Sequence, residues 1–243
     1  MARKAGTPVQ PVAGEPGETA GDVHHAASLN AYGSYLFGQG RWEEARSFFV
    51  KAAREAPDDP ATRKNLGIAS SACGLNDEAI EIFAELVAQS PQDASLHNAY
   101  GLVLHRAGRL EEAEAEFTRA TELAPAEYIY WHHKGTNALA RDNPSAAVAA
   151  LARAVALPGA PAVSYYNLAM ALGAEGETER ATMFLQKAVS LRSDDADLLV
   201  RAARIMDQWG RHATAIECLR SYVRSGRRDA RVDELLDELL GQE

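Results

Sequence analysis

Three histidines invite a chemical reading: His105, and the adjacent pair His132 and His133. Imidazoles ligate metals and move protons near neutrality, but a closed metal site needs three or four convergent ligands. Adjacent residues on a helix point about 100° apart, so His132 and His133 cannot easily share one ion, and no cysteine is near them. The only thiols are Cys73 and Cys218, too few for a disulfide scaffold or a zinc cage. The densest carboxylates, in Glu111-Glu112-Ala113-Glu114-Ala115-Glu116, share a helix with inward apolar residues and read as a solvated face. A Gly-rich phosphate loop, a His-Glu-x-x-His or Cys-x-x-Cys pair and a Gly-x-Ser-x-Gly elbow are all missing from the sequence. The expectation is a chain with no catalytic residues, no metal and no cofactor. Any function must then rest on a surface.

Composition sets the frame for that surface. The 243 residues are 47% hydrophobic, enough for a core, but only 7% aromatic, which suits closely packed helices better than a β-sandwich. A formal net charge of −9 disfavours nucleic acid. No apolar run approaches the ~18–20 residues of a membrane span. Arg3 and Lys4 precede no apolar stretch, so the start does not read as a secretory signal. These features predict a soluble, reduced, cytoplasmic protein without membrane insertion.

A spacing of thirty-four residues then organises the whole sequence. Gly33, Gly67, Gly101 and Gly135 keep it, continued by Ala169 and Ala203. Ala45, Ala79, Ala113, Ala147, Ala181 and Ala215 form a second series, and Phe49, Phe83, Phe117, Leu151, Leu185 and Leu219 a third. Pro57, Pro91 and Pro125 close the first three units. Within 26–59, Leu29, Tyr32, Gly33 and Leu36 mark one face of a first helix, and Trp42, Ala45, Phe49 and Ala52 one face of a second. Gly40 ends the first helix and Pro57 the second. Small residues at 33 and 45 let the two backbones approach. Each unit is expected to be an antiparallel helix hairpin with one apolar face left for its neighbour.

These residues resemble the tetratricopeptide repeat family, whose pattern is best matched by Tyr100-Gly101, Leu104, Gly108, Ala113, Phe117, Ala120 and Pro125. The resemblance implies an all-α, right-handed superhelical solenoid of six hairpins: 26–59, 60–93, 94–127, 128–161, 162–195 and 196–228. Later units depart from the pattern, with Asp142-Asn143-Pro144 at the fourth turn and Ser193 and Arg227 where proline is expected. Outside the repeats, 1–22 is aperiodic and rich in Pro, Gly and Thr, which predicts a disordered tail. Residues 229–243 set Val232, Leu235, Leu236, Leu239 and Leu240 against an acidic face, which predicts a capping helix and thirteen helices in all.

In such a stack the first helices line a concave groove. Helical periodicity turns positions 2, 5, 6, 9 and 12 of each repeat into it. The candidate partner-binding residues are therefore Lys64, Asn65, Asn98, Leu102, His105, Ile129, His132, His133, Val163, Tyr166, Asn167, Met170, Arg201 and Arg204. Family members that hold an extended peptide often use asparagine at position 6; Asn65 and Asn167 match, while Ala31, Ala99, His133 and Arg201 do not. The family's carboxylate clamp needs cations that Asn30, Ser34, Asn65, Ser95 and Ala99 do not supply. Residues 196–228 hold seven arginines against three acids, readable as surface pairing with the acidic cap or as an anionic foothold at Arg201 and Arg204. The expected function is a non-enzymatic scaffold for a peptide or protein partner, with self-association left open. The alternatives are an assembly factor of a secretion or pilus system, pilotin-like, or a regulatory arm for a separate enzyme.

Overall fold

The computed structural model describes residues 20–241, with side chains from His25 onward. Among the described residues there are thirteen α-helices and no strands. The chain divides into two compact units, 1–82 and 83–243. The first holds α1 (Ala20–Gly38), α2 (Trp42–Glu55), α3 (Pro60–Ala72) and the start of α4 (Asn76–Gln89). The second holds the rest of α4, then α5 (Ala94–Arg106), α6 (Leu110–Leu123), α7 (Tyr128–Ala140), α8 (Pro144–Ala156), α9 (Ala162–Ala174), α10 (Thr178–Leu191), α11 (Ala196–Gln208), α12 (His212–Arg224) and α13 (Ala230–Leu240). The aperiodic segment 1–22 contributes only the first residues of α1; 1–19 lie outside the described residues.

Local chemistry fixes where helices start. Asp59 accepts from the backbone N–H groups of Ala61 and Thr62, with Pro60 in the first helical turn of α3. Asp93, Asp195 and Asp229 cap α5, α11 and α13 in the same way, and Asn143 caps α8 ahead of Pro144. The turn inside each hairpin passes through a left-handed residue: Gly40, Gly74, Gly108, Gly176 and Gly210 have φ between 71° and 80°. The fourth hairpin places Asp142 there, with φ 52°. Aspartate is among the few side chains that tolerate this region, at a cost glycine does not incur.

Within each hairpin, close approach depends on small residues. A Cβ on Gly33 would lie 2.7 Å from the Phe49 ring, one on Gly101 2.7 Å from Phe117, and one on Gly135 2.4 Å from Leu151. Those rings and Leu151 are at most 2% exposed. In the first unit the core gathers Leu36, Ala45, Phe49 and Ala69. Arg46 ties three helices there, donating to Ser70 Oγ at 3.1 Å and to both Glu78 carboxylate oxygens at 2.7 and 2.9 Å.

In the second unit a core of leucine and alanine runs from Ala138 to Leu239. Its last layer is α13, which packs on α11 and α12. Val232, Leu235 and Leu239 are buried there, with Leu236 and Leu240 partly covered. His212 joins this layer through Nδ1 to Asp207 at 2.7 Å and Nε2 to the Leu239 carbonyl at 2.9 Å.

Candidate functional site

The first-helix residues picked out by spacing bond to one another. Asn30 and Asn65, at positions 5 and 6 of successive repeats, are joined by a 3.0 Å hydrogen bond donated by Asn65 Nδ2. The same pair of positions, in the second unit, joins His133 Nδ1 to Asn98 Oδ1 at 2.7 Å. It recurs once more as a cation over a ring, with the Arg201 guanidinium 5.8 Å from the centre of Tyr166. Each is a rung between neighbouring first helices, 35 residues apart in sequence.

Histidine chemistry follows from these partners. His105 Nδ1 donates to Asn137 Oδ1 at 2.8 Å, and Asn137, fully buried, donates in turn to the Leu110 carbonyl at 2.9 Å. His132 is 9% exposed and pairs through Nδ1 with Ser164 Oγ at 3.0 Å. It therefore does not line the surface as its position predicted. The small Ser164 at position 3 of the next repeat gives its ring a place and a partner inside the packing. Burial, with His132 and His105 nearby, pulls the His133 imidazole down to about 4. Burial also lowers His132. The neutral rings of His132 and His133 act as hydrogen-bonding struts, and the Nδ1 of each makes a bond inside the protein.

At the far end, of the two readings of Arg201 and Arg204, the pairing with the acidic cap is seen at Arg204. Arg204 meets Glu238 of α13 at 3.4 Å, and Arg201 lies over Tyr166. Asp197 pairs with Arg231. These contacts are exposed, and such pairs contribute little stability individually; Arg204 has a counter-ion in Glu238, while Arg201 is held by the Tyr166 ring and by the Asp197 carbonyl at 3.3 Å.

What remains available in the second unit is apolar, with one amide. Leu102 and Val163 are exposed, at 39% and 49%. Ile129, Tyr166, Asn167 and Met170 are half-buried. Ile129 and Val163 occupy position 2 of their repeats, Leu102 and Met170 position 9, so two apolar rows flank the rungs. Among the described residues the Asn167 side chain has no hydrogen-bond partner. In the first unit Lys64 is half-buried, and Ser34, Asn65 and Ile68 help line a cavity of about 210 Å³ with Phe37 and Phe49.

One surface departs from the expectation, since spacing set Tyr32 and Trp42 on the apolar faces of the first hairpin and did not single out Tyr35. Tyr32, Tyr35 and Trp42 are 47%, 58% and 44% exposed. Tyr32 stacks on Tyr35 with ring centres 6.1 Å apart and meets Phe48 edge-on at 4.7 Å. In the next repeat the positions of Tyr32 and Tyr35 hold half-buried Leu66 and buried Ala69. The available signal was that the first repeat, with no described repeat before it, carries aromatics where later repeats pack on a predecessor.

The tetratricopeptide repeat family model matches residues 36–103, 74–134 and 172–239. The chain belongs to that family. Solved structures agree on the fold. TTC0263, a thermophilic tetratricopeptide repeat protein of Thermus thermophilus, is 25% identical, with a TM-score of 0.61 over 74% of this chain and 97% of its own. The pilF protein of Pseudomonas aeruginosa is 19% identical, with a TM-score of 0.68 over 90% of this chain and 99% of its own. MamA (residues 41 to the end) of Desulfovibrio magneticus RS-1 is 19% identical, with a TM-score of 0.60 over 71% and 97%. No curated protein matches the sequence significantly. No helix among the described residues is long and apolar enough to cross a membrane.

Proposed function

We propose that the chain is a non-enzymatic scaffold that holds an extended peptide or protein segment on the first-helix face of α5, α7 and α9. The observation that carries this reading is Asn167: a half-buried amide without a hydrogen-bond partner among the described residues, set between Val163 and Met170. An amide can donate to a peptide C=O and accept from its N–H at once, which fixes a strand's direction. The rows of Ile129 and Val163, and of Leu102 and Met170, would take apolar side chains on either side. Tyr166 supports the surface with its ring already braced by Arg201. The rungs hold the helices in register, so Asn98, His105, His132 and His133 serve as framework. Both cysteines are free, which fits a reducing, cytoplasmic setting.

The test is a random peptide library selected on the full chain, followed by hydrogen-exchange mapping of a selected peptide. Protection concentrated in α5, α7 and α9 is expected. Protection confined to the second helices α6, α8 and α10 would overturn the assignment.

A further inference from the structure

Two departures from the repeat meet at one place in the second unit. The position that is proline in the first three repeats holds Ser193 and Arg227 in the last two. Arg227 Nη2 donates to Ser193 Oγ at 3.4 Å and its Nη1 to Ser225 Oγ at 2.6 Å, while the guanidinium lies 5.8 Å from the centre of the Tyr222 ring. Arg204, Arg211, Arg224 and Arg231 each reach a carboxylate. Among the described residues Arg227 reaches none. A guanidinium held in place by hydroxyls and an aromatic face, without a counter-ion, is a preorganised cation.

Arg227 stands on the wall of a cavity of about 420 Å³ shared by α10, α11 and α12. That volume exceeds a bare oxyanion and falls within the ~300–1,000 Å³ of small-molecule sites. Val189, Leu199 and Tyr222 give it apolar walls. Ser190 and Ser225 spend their hydroxyl protons on the Lys187 and Tyr222 carbonyls. Ser193 and Ser221 also line it, and among the described residues their hydroxyls donate to nothing. Glu217 at the same cavity is matched by Arg224, which leaves the charge of Arg227 uncompensated.

We propose that this cleft binds a small phosphomonoester, with Arg227, Ser193 and Ser221 holding the phosphoryl group and the apolar walls its organic body. Cys218 also lines the cavity, which gives a direct readout. Burial raises its thiol pKa, so N-ethylmaleimide labelling is followed at mildly alkaline pH, with Cys73, outside the cleft, as the internal reference.

In the full chain, millimolar phenyl phosphate is expected to slow labelling of Cys218 severalfold and leave Cys73 unchanged. Inorganic phosphate and benzyl alcohol, each alone, are expected to protect less. Arg227→Gln is expected to weaken protection by phenyl phosphate about tenfold, the usual effect of losing a hydrogen bond to a charged group. Ser193→Ala, at an exposed position, is expected to weaken it less and provides a variant that leaves the core untouched. Equal protection by benzyl alcohol, by inorganic phosphate, or in Arg227→Gln would overturn the proposal. So would equal slowing of both cysteines, or no protection at all.

Discussion

Asn98 and His133 sit at positions 5 and 6 of successive repeats and share a 2.7 Å hydrogen bond in which imidazole Nδ1–H donates to the amide oxygen. The bond demands a proton on Nδ1, carried either by the neutral Nδ1–H tautomer or by the imidazolium, and the surroundings favour the neutral form. Burial is the main cause, and His132 and His105 add to it, so His133 titrates at about 4 instead of its usual 6.5. The unfolded chain takes up a proton near 6.5 and the folded chain only near 4. Stability is therefore full above about pH 6.5 and falls as pH drops through that window, by about 1.4 kcal/mol per pH unit. Urea midpoints measured from pH 7 to pH 5 should fall for the native chain and fall less steeply for His133→Asn. His132, shifted in the same direction by burial, should keep some slope in the variant. Identical slopes in the two proteins would show that His133 is not the group responsible.

Asp142 occupies the left-handed turn position that glycine fills in the five other hairpins. Its side chain is exposed, so replacement disturbs little packing. Asp142→Gly relieves a left-handed penalty of ~1–2 kcal/mol and adds unfolded-chain entropy of ~0.5–1 kcal/mol. The expected net result is stabilisation of about 0.5–1 kcal/mol in chemical denaturation. A clear loss would mean that the carboxylate contributes to the turn.

Leu235, 1% exposed, is central to the layer formed by α13. Leu235→Ala should cost about 2–4 kcal/mol, as buried leucine truncations do. It should also expose apolar surface on α11 and α12, seen as concentration-dependent association in sedimentation. A variant of unchanged stability that stays monomeric would show that α13 does not cover the end of the core.

Gly101 tests hairpin packing. An added methyl would lie 2.7 Å from Phe117, a side chain buried at 1% exposure. Gly101→Ala should lower the thermal midpoint despite the better helix propensity of alanine, which alone would favour the variant by up to ~1 kcal/mol. A raised midpoint would mean that the ring has room to move.

Spacing revealed the hairpins because close packing leaves a residue-type record. Gly33, Gly101 and Gly135 are small for the rings or branched chain opposite them, and the alanine series is buried throughout at 0% exposure. The all-α repeat array was legible for that reason. The first-helix face was legible only as a set of positions. Periodicity says that Asn98 and His133 point toward one side, but not that they meet, because that depends on the offset between neighbouring helices. It placed His132 outward, whereas a partner on another helix, Ser164, draws it in. Nor could it show that Arg204 would spend its charge on Glu238, since that pairing depends on where α13 lies. Of the residues assigned to this face, Leu102, Val163, Arg201 and Arg204 are exposed, while Asn167, like Ile129, Tyr166 and Met170, is half-buried.

The central claim is that a partner is held on the first-helix face of α5, α7 and α9, and peptide affinity in surface variants tests it most directly. With a library-selected peptide, affinities of the native chain, Val163→Asp, Asn167→Ala and Glu122→Ala would be measured by calorimetry. Glu122 is exposed on α6, a second helix. Val163→Asp and Asn167→Ala should weaken binding by about tenfold or more, a loss of ~1.4 kcal/mol or greater, with thermal midpoints little changed. Glu122→Ala should bind as the native chain does. Full affinity in both first-helix variants, with loss in Glu122→Ala, would contradict the account and place the working surface on the second helices.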